Sequence, residues 1–167
     1  MKTFLAAACA TLFLANSATA ETLPEPTGDV LLTISGDIQN ETRDGVILLD
    51  RAMLEAMPEV QFTTSTIWTE TSVEFTGVSL QHVLEHAGFK GTNIEAVALN
   101  DYKVEIPAAE IEDGAPIIAY RMDGKEMSAR DKGPLWIVYP YDEDAKFRSE
   151  VVYSRFIWQL DRIVAVE

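Results

Sequence analysis

The segment at residues 115–140 constrains the fold more than any other part of the chain. It reads APIIAYRMDGKEMSARDKGPLWIVYP, in which an apolar run ends at Asp123-Gly124, a polar return follows, and a second apolar run ends at Pro140. Asp-Gly between two strand-like runs predicts a hairpin with a type I′ turn, because that turn requires positive φ at both central residues. Gly133-Pro134 predicts a close backbone approach and a fixed direction for the strand that follows.

The rest of the chain predicts short strands with few, short helices. The predicted strands are Val30–Gln39, Val46–Leu49, Val60–Trp68, Val73–Phe75, Ile94–Leu99, Ala115–Met122, Lys125–Ser128, Leu135–Tyr139 and Asp161–Val166. The predicted helices are Arg51–Met57 after the cap Asp50, Leu80–Ala87 between the cap Ser79 and Gly88, and one turn at Pro107–Ile111, while Ser149–Ile157 fits either a helix or a strand. This mixture indicates an α+β domain that is mainly β, with a mixed sheet and short helices.

The first twenty residues have the pattern of a signal peptide. Lys2 gives the basic start, Phe4–Ala15 is apolar, and Ala18-Thr19-Ala20 is a cleavage site of the A-x-A type. We therefore expect export to the periplasm or secretion, a mobile leader at 21–28, and a single domain at 29–167. The only cysteine is Cys9, so the chain after cleavage has no thiol, and no later segment is long enough to insert in a membrane.

The charge of the chain excludes several classes of partner. Asp and Glu number 27 against 13 Lys and Arg, which gives a formal net charge of −14. A strongly acidic chain is not expected to bind nucleic acid or an anionic membrane. Against this background Arg130, Lys132 and Arg155 are the basic residues predicted to converge on an anionic group such as a phosphate or carboxylate, and ordinary surface charge is the alternative.

Two motifs point to hydrolases only superficially. His82-Val83-Leu84-Glu85-His86 matches H-x-x-E-H, but on a helix both histidines lie opposite the apolar stripe of Leu80 and Ala87. The chain has no third histidine, so no metal site is predicted. Ser79 lacks the second glycine of a nucleophile elbow and is better explained as a helix cap.

Three stretches together resemble the molybdopterin-binding domain of the sulfite-oxidase type. They are residues 115–140, the run from Thr76 to Gly88, and Leu160-Asp161-Arg162-Ile163. The resemblance covers residues 28–166 and is to short, stand-alone secreted members of that family. It implies the sulfite-oxidase fold and a pocket for molybdopterin.

The chain departs from that family at the position of the metal ligand. The family's enzymes ligate molybdenum through a cysteine thiolate about a dozen residues before the Gly-Val turn, and counting back from Gly77 reaches Thr64 or Ser65. Neither side chain is the soft sulfur ligand that the metal prefers. The family's arginine after Pro-Leu is here Trp136, which together with Tyr139 is predicted to lie in the core.

The residues predicted to line or surround a binding pocket come partly from the resemblance and partly from the basic cluster. These are Thr64, Ser65, Trp68, Arg130, Lys132, Gly133 and Arg155, although Trp68 fits the core equally well and Thr64 and Ser65 fit a plain strand. The first hypothesis is a protein without molybdenum redox catalysis and without an expected cofactor, which binds a small anionic ligand or an envelope protein. The alternatives are a molybdopterin-dependent oxidoreductase with a non-cysteine metal site, and a structural domain. Whether the chain is an enzyme stays open.

Overall fold

Ten strands and three α-helices make up the computed structural model, which describes residues 21–167; the predicted signal peptide lies outside them. The strands are β1 Val30–Gly36, β2 Ile47–Asp50, β3 Glu59–Thr64, β4 Val73–Ser79, β5 Asn93–Ala98, β6 Lys103–Pro107, β7 Ile117–Met122, β8 Lys125–Glu126, β9 Trp136–Val138 and β10 Leu160–Val166. The helices are α1 Arg51–Glu55, α2 Leu80–His86 and α3 Glu150–Ser154, with 3₁₀ turns at Ala108–Glu110, Ala129–Asp131 and Ala145–Phe147. The predicted α+β class, mainly β with short helices, is confirmed.

The strands form two five-stranded sheets. One has the order β2-β1-β10-β5-β6, and the other has the order β3-β4-β7-β8 with β9 also paired to β7. β1 and β10 are parallel while the other pairs are antiparallel, so the first sheet is mixed as predicted. No helix within residues 21–167 has the length and apolar character needed to cross a membrane.

The hairpin predicted at Asp123-Gly124 is present. Both residues have positive φ, 49° and 70°, and Met122 pairs with Lys125 across the turn. The return strand is only two residues long, because Met127 turns inward and is buried. A Cβ at Gly133 would clash with the carbonyl oxygen of Met127, so the close approach predicted there is an approach to the chain itself.

The prediction of a strand over Val60–Trp68 was wrong in its second half. β3 ends at Thr64, and the chain turns because the Thr66 hydroxyl accepts the Trp68 N–H and contacts the Thr69 hydroxyl. Such local side-chain bonds offer the backbone an alternative to the sheet ladder. This turn, over residues 65–69, aims Trp68 back at the domain.

Other boundaries also differ from the predictions. β4 continues to Ser79, and Gly77 within it lets the backbone of β7 approach closely. β6 was not predicted at all. Residues 149–157 divide into α3 and a following extended segment. Ser79 does lie at the start of α2, but its hydroxyl accepts the Gly114 N–H at 3.4 Å and caps nothing, which corrects the predicted role.

The segment at 21–28, predicted to be mobile, is held against the domain. Leu23 is buried in the core and its N–H donates to the Glu41 carbonyl at 2.7 Å. The N–H groups of Thr27 and Gly28 both donate to one carboxylate oxygen of Asp50 at 2.8 Å. Asp50 also caps α1 as predicted, and these backbone donors, first that of Met53, lower the pKa of its carboxyl.

Candidate functional site

Thr64 and Ser65, where the family resemblance predicts the metal ligand, are bonded to Asp142. Thr64 is fully buried, and its hydroxyl oxygen accepts the Asp142 N–H at 3.0 Å. The two carboxylate oxygens of Asp142 accept the Ser65 N–H at 2.6 Å and the Ser65 hydroxyl at 2.8 Å. The hydroxyls predicted to face a ligand are therefore engaged by a loop 77 residues further along the chain.

A second set of bonds fixes the loop that carries Asp142. The Arg148 guanidinium donates to the carbonyl oxygens of Tyr141 at 3.0 Å and Asp142 at 2.8 Å. The hydroxyls of Tyr141 and Tyr153 are 2.6 Å apart, which ties this loop to α3. The N–H and then the hydroxyl of Ser65 lower the pKa of the Asp142 carboxyl, so the loop presents a carboxylate at neutral pH.

Trp68 lies in a cluster of aromatic rings. Its ring centroid is 5.2 Å from Trp158, 5.6 Å from Phe156 and 6.4 Å from Trp136. Trp136 is fully buried, as predicted, and packs edge-on to Phe75. Edge-to-face pairs of this kind stabilise a core beyond the area they bury.

A cavity of about 300 Å³ opens beside this cluster. It is lined by Trp68, Ala98, Asn100, Tyr102, Tyr153, Ser154, Phe156, Ile157 and Trp158. We call it the aromatic cavity, since five of these side chains are aromatic. Its volume is at the lower end of the range for small-molecule and side-chain pockets. None of the described residues that line it is Lys, Arg or His.

Arg155 is buried but points away from the aromatic cavity. Its guanidinium donates to the Glu110 carboxylate at 2.6 Å, with 7% of the Arg155 side chain exposed against 55% for Glu110. This hydrogen bond lowers the pKa of Glu110 and raises that of Arg155. The Tyr139 hydroxyl lies near the same guanidinium without a well-formed hydrogen bond, and burial raises its pKa. The charge of Arg155 is thus balanced within the chain.

The other three predicted site residues lie together on the loop at the 3₁₀ turn Ala129–Asp131, outside the lining of the aromatic cavity. Arg130 is exposed on the 3₁₀ turn Ala129–Asp131, and the Lys132 ammonium lies 5.9 Å from the centroid of the Trp136 ring. The Gly133 N–H donates to the Ser128 carbonyl at 2.8 Å. The structure therefore places Thr64 and Ser65 together on Asp142, and it places Lys132 beside the aromatic cluster. It does not gather the predicted basic residues around one cavity.

The histidines of H-x-x-E-H lie on the outer side of α2. Leu80, Val83, Leu84 and Ala87 are buried as predicted, while His82 and His86 are half-buried. Burial, followed by the neighbouring His82, lowers the pKa of His86. Within residues 21–167 no three His, Cys, Asp or Glu side chains are grouped so that they could hold a metal ion.

Sequence reasoning missed most of the residues that define the site. Asp142 carries no local pattern, and its role depends on a contact with β3 that only the fold creates. Tyr102 was missed because the hairpin of β5 and β6 was not predicted. Tyr153 and Phe156 lie in the stretch predicted as either a helix or a strand, and Trp158 lies just beyond it, although the density of aromatic residues there was a usable signal.

Comparison with known proteins decides the family. The family described as "Oxidoreductase molybdopterin binding domain" matches residues 47–145, which is more than half of the chain. The chain belongs to this family. The match includes β3, β4, α2, the hairpin at Asp123-Gly124 and the Asp142 loop, so both partners of the Ser65–Asp142 contact lie inside it.

A solved structure supports the fold of this molybdopterin-binding domain. The crystal structure of the sulfane dehydrogenase SoxCD from Paracoccus pantotrophus matches with a TM-score of 0.62 and 16% sequence identity. The match covers 87% of this chain and 40% of that chain, so the present chain spans less than half of that protein. A search of curated proteins gives no match.

Thr64 and Ser65, the residues that the resemblance puts in the place of the metal ligand, do not fit a molybdenum centre. A thiophilic metal requires a soft donor, whereas Thr64 and Ser65 offer hydroxyls that already serve Asp142. The Asp142 carboxylate adds a negative charge where an anionic cofactor would need cations. Trp136 stands where the resemblance implies an arginine, and its side chain is fully buried.

Proposed function

We propose that this domain is an exported binding protein that has kept the molybdopterin-binding oxidoreductase fold without molybdenum redox catalysis. It works by recognising a partner in the envelope, and it needs no bound cofactor. The contact between Asp142 and Ser65 carries this proposal, because it engages the hydrophilic groups at the metal-ligand position. The export of the protein rests on the signal-peptide pattern of residues 1–20.

A protein partner is better supported than a small anionic ligand. The aromatic cavity has no lining cation, and Arg155 is neutralised by Glu110. Neither Arg130 nor Lys132 lines that cavity. An anion would have to enter an acidic protein without a charged partner to receive it, which is costly.

The proposal is tested by metal and pterin analysis. The protein is purified from the envelope of a host that makes molybdopterin, beside a molybdenum enzyme of the same family as the control. We expect molybdenum and pterin fluorescence at background in this protein and at stoichiometric level in the control. Stoichiometric molybdenum in this protein would overturn the proposal in favour of an oxidoreductase with a non-cysteine metal site.

A further inference from the structure

The exposed apolar side chains of this domain are concentrated around one cavity. Five large apolar side chains are exposed within residues 21–167, and one of them, Val30, lies in β1. The other four are Ile67, Leu99, Tyr102 and Val151, each more than half exposed. All four either line the aromatic cavity or stand within two residues of one of its lining side chains. Apolar side chains that cluster in this way mark interaction sites rather than random surface.

The aromatic cavity can accommodate one large apolar group. Trp68, Phe156 and Trp158 form packed walls, with ring centroids 5.2 to 5.6 Å from Trp68. Tyr102 and Tyr153 complete the lining on the solvent side. Aromatic-lined pockets that bury an anchor side chain are typical of the energetic centre of a protein interface.

The rim of the cavity is acidic. Glu70 follows Trp68 by two residues, and Glu150 lies one helical turn before Tyr153 and Ser154 of α3. Both carboxylates are exposed, and neither forms an ion pair within the described residues.

Two cations near this rim already have partners, whereas Lys132, whose ammonium lies 5.9 Å from the Trp136 ring centroid, forms no ion pair within the described residues. Arg162 pairs with Asp101 and Asp161, and Arg148 donates to the carbonyl groups of its own loop. On the side of the cavity formed by the 65–69 turn and α3, the unpaired charges are the carboxylates of Glu70 and Glu150. A second copy of this chain is a poor occupant, because two chains of charge −14 repel one another.

We propose that Ile67, Leu99, Tyr102, Val151, Glu70 and Glu150, together with the aromatic cavity, form a docking face for a partner protein. The partner contributes a segment with one large apolar side chain flanked by Lys or Arg. The apolar side chain enters the cavity and the basic residues meet Glu70 and Glu150. This inference rests on the proposed binding function and specifies the chemistry of the partner.

Short peptides test the docking face directly. The probe is the peptide Lys-Lys-Phe-Lys-Lys, with Glu-Glu-Phe-Glu-Glu and Lys-Lys-Ala-Lys-Lys as comparisons. Binding is followed by tryptophan fluorescence at low ionic strength, because Trp68 and Trp158 line the cavity and none of the peptides contains tryptophan. We expect the first peptide to bind about tenfold more tightly than either comparison.

Two matched variants locate the binding on the protein. Glu70→Lys with Glu150→Lys is expected to weaken binding of the lysine–phenylalanine peptide about tenfold. The control is Asp29→Lys with Asp113→Lys, which makes the same change of net charge at exposed acidic residues outside the docking face. The control is expected to weaken peptide binding less than the rim variant. Tyr102→Ala, at an exposed position that the fold does not need, is expected to weaken binding to a similar extent as the rim variant.

Several results would overturn the docking face. They are absence of binding by the lysine–phenylalanine peptide, equal binding of the glutamate peptide, and equal effects of the rim and control variants. Molybdenum is measured in the same protein sample. If the protein contains no molybdenum and fails to bind the peptide, the docking face alone is refuted. Stoichiometric molybdenum would instead overturn the proposed function itself.

Discussion

The Asp142 carboxylate accepts both the N–H and the hydroxyl of Ser65, at 2.6 and 2.8 Å. The contact joins the end of β3 to the loop that carries Asp142. The Asp142 N–H adds a third hydrogen bond, which it donates to the Thr64 hydroxyl. An anionic side chain thus contacts the two residues that the resemblance puts in the place of the metal ligand. Arg148 donates to two carbonyl oxygens of the same loop, so the loop is held both by Ser65 and by Arg148.

Asp142→Asn should destabilise the protein by about 1 kcal/mol at neutral pH, because it removes charge-assisted hydrogen bonds at an exposed site. The pKa of Asp142 is lowered in the folded protein by the Ser65 donors. Its stabilisation is therefore present above the unfolded pKa of about 3.9 and is lost as the pH falls through the lower folded value. Urea unfolding at a series of pH values should show the difference between variant and wild type shrinking in acid.

Glu143→Gln is the control for that experiment. Glu143 is the next residue on the same loop and is exposed, and its carboxylate forms no ion pair within residues 21–167. It should change the free energy of unfolding little at any pH. Equal losses for the two variants would show that Asp142 acts through the general charge of the loop and not through Ser65.

The pair Arg155–Glu110 allows a second comparison. Glu110→Ala leaves a guanidinium that is 7% exposed without its carboxylate, and this should lower the free energy of unfolding by about 1 kcal/mol or more. Glu112→Ala, in the exposed pair with Lys146, should have little effect. Chemical denaturation of both variants checks the difference. Equal effects would mean that the Arg155 guanidinium gains water when Glu110 is removed.

Local patterns predicted a large part of the fold. The turn at Asp123-Gly124 depends on the φ preference of two adjacent residues, and α2 depends on an apolar stripe within two turns. The buried strand at β9 likewise showed itself as a short apolar run. In each instance, neighbouring residues contain the physical cause, so the sequence was sufficient.

The site could not be predicted in the same way. Its cavity gathers the 65–69 turn, the β5–β6 hairpin and the segment after α3, and the Ser65–Asp142 contact spans 77 residues. The predicted convergence of Arg130 and Arg155 has no support in the fold, because Glu110 holds Arg155 elsewhere. Long-range pairing of this kind depends on packing of the whole domain. Only the resemblance to a family pointed to Thr64 and Ser65.

Gly77→Ala tests how closely the central strands of the second sheet approach. A Cβ at Gly77 would meet backbone atoms of Ile118 and Ala119, which cannot move without breaking the β4–β7 pairing. We expect a loss of about 3 kcal/mol. Gly124→Ala, which has open space but a left-handed φ of 70°, should cost about 1 kcal/mol. Denaturant midpoints separate the two, and a mild effect at Gly77 would mean that β7 shifts to accommodate the methyl group.

Trp136→Arg restores the residue that the family has after Pro-Leu, and we expect it to unfold the domain rather than to create a cofactor site. Trp136 is fully buried among Phe75, Trp68 and Trp158. A guanidinium there would lose its water, and the Lys132 ammonium, which lies 5.9 Å from the Trp136 ring centroid, would repel it. The expected loss is about 4 kcal/mol or more, measured by denaturation.

Trp136→Phe is the matched control, since it keeps an apolar ring and should cost about 1 to 3 kcal/mol through the cavity that it leaves. Both variants are also analysed for molybdenum and pterin, and neither should contain them. A folded Trp136→Arg protein with stability close to that of Trp136→Phe would show that the aromatic cluster accepts the family's arginine. In that event the packing around Trp136 would not prevent cofactor binding. The engagement of the Thr64 and Ser65 hydroxyls by Asp142 would then be the remaining obstacle described in this part of the fold.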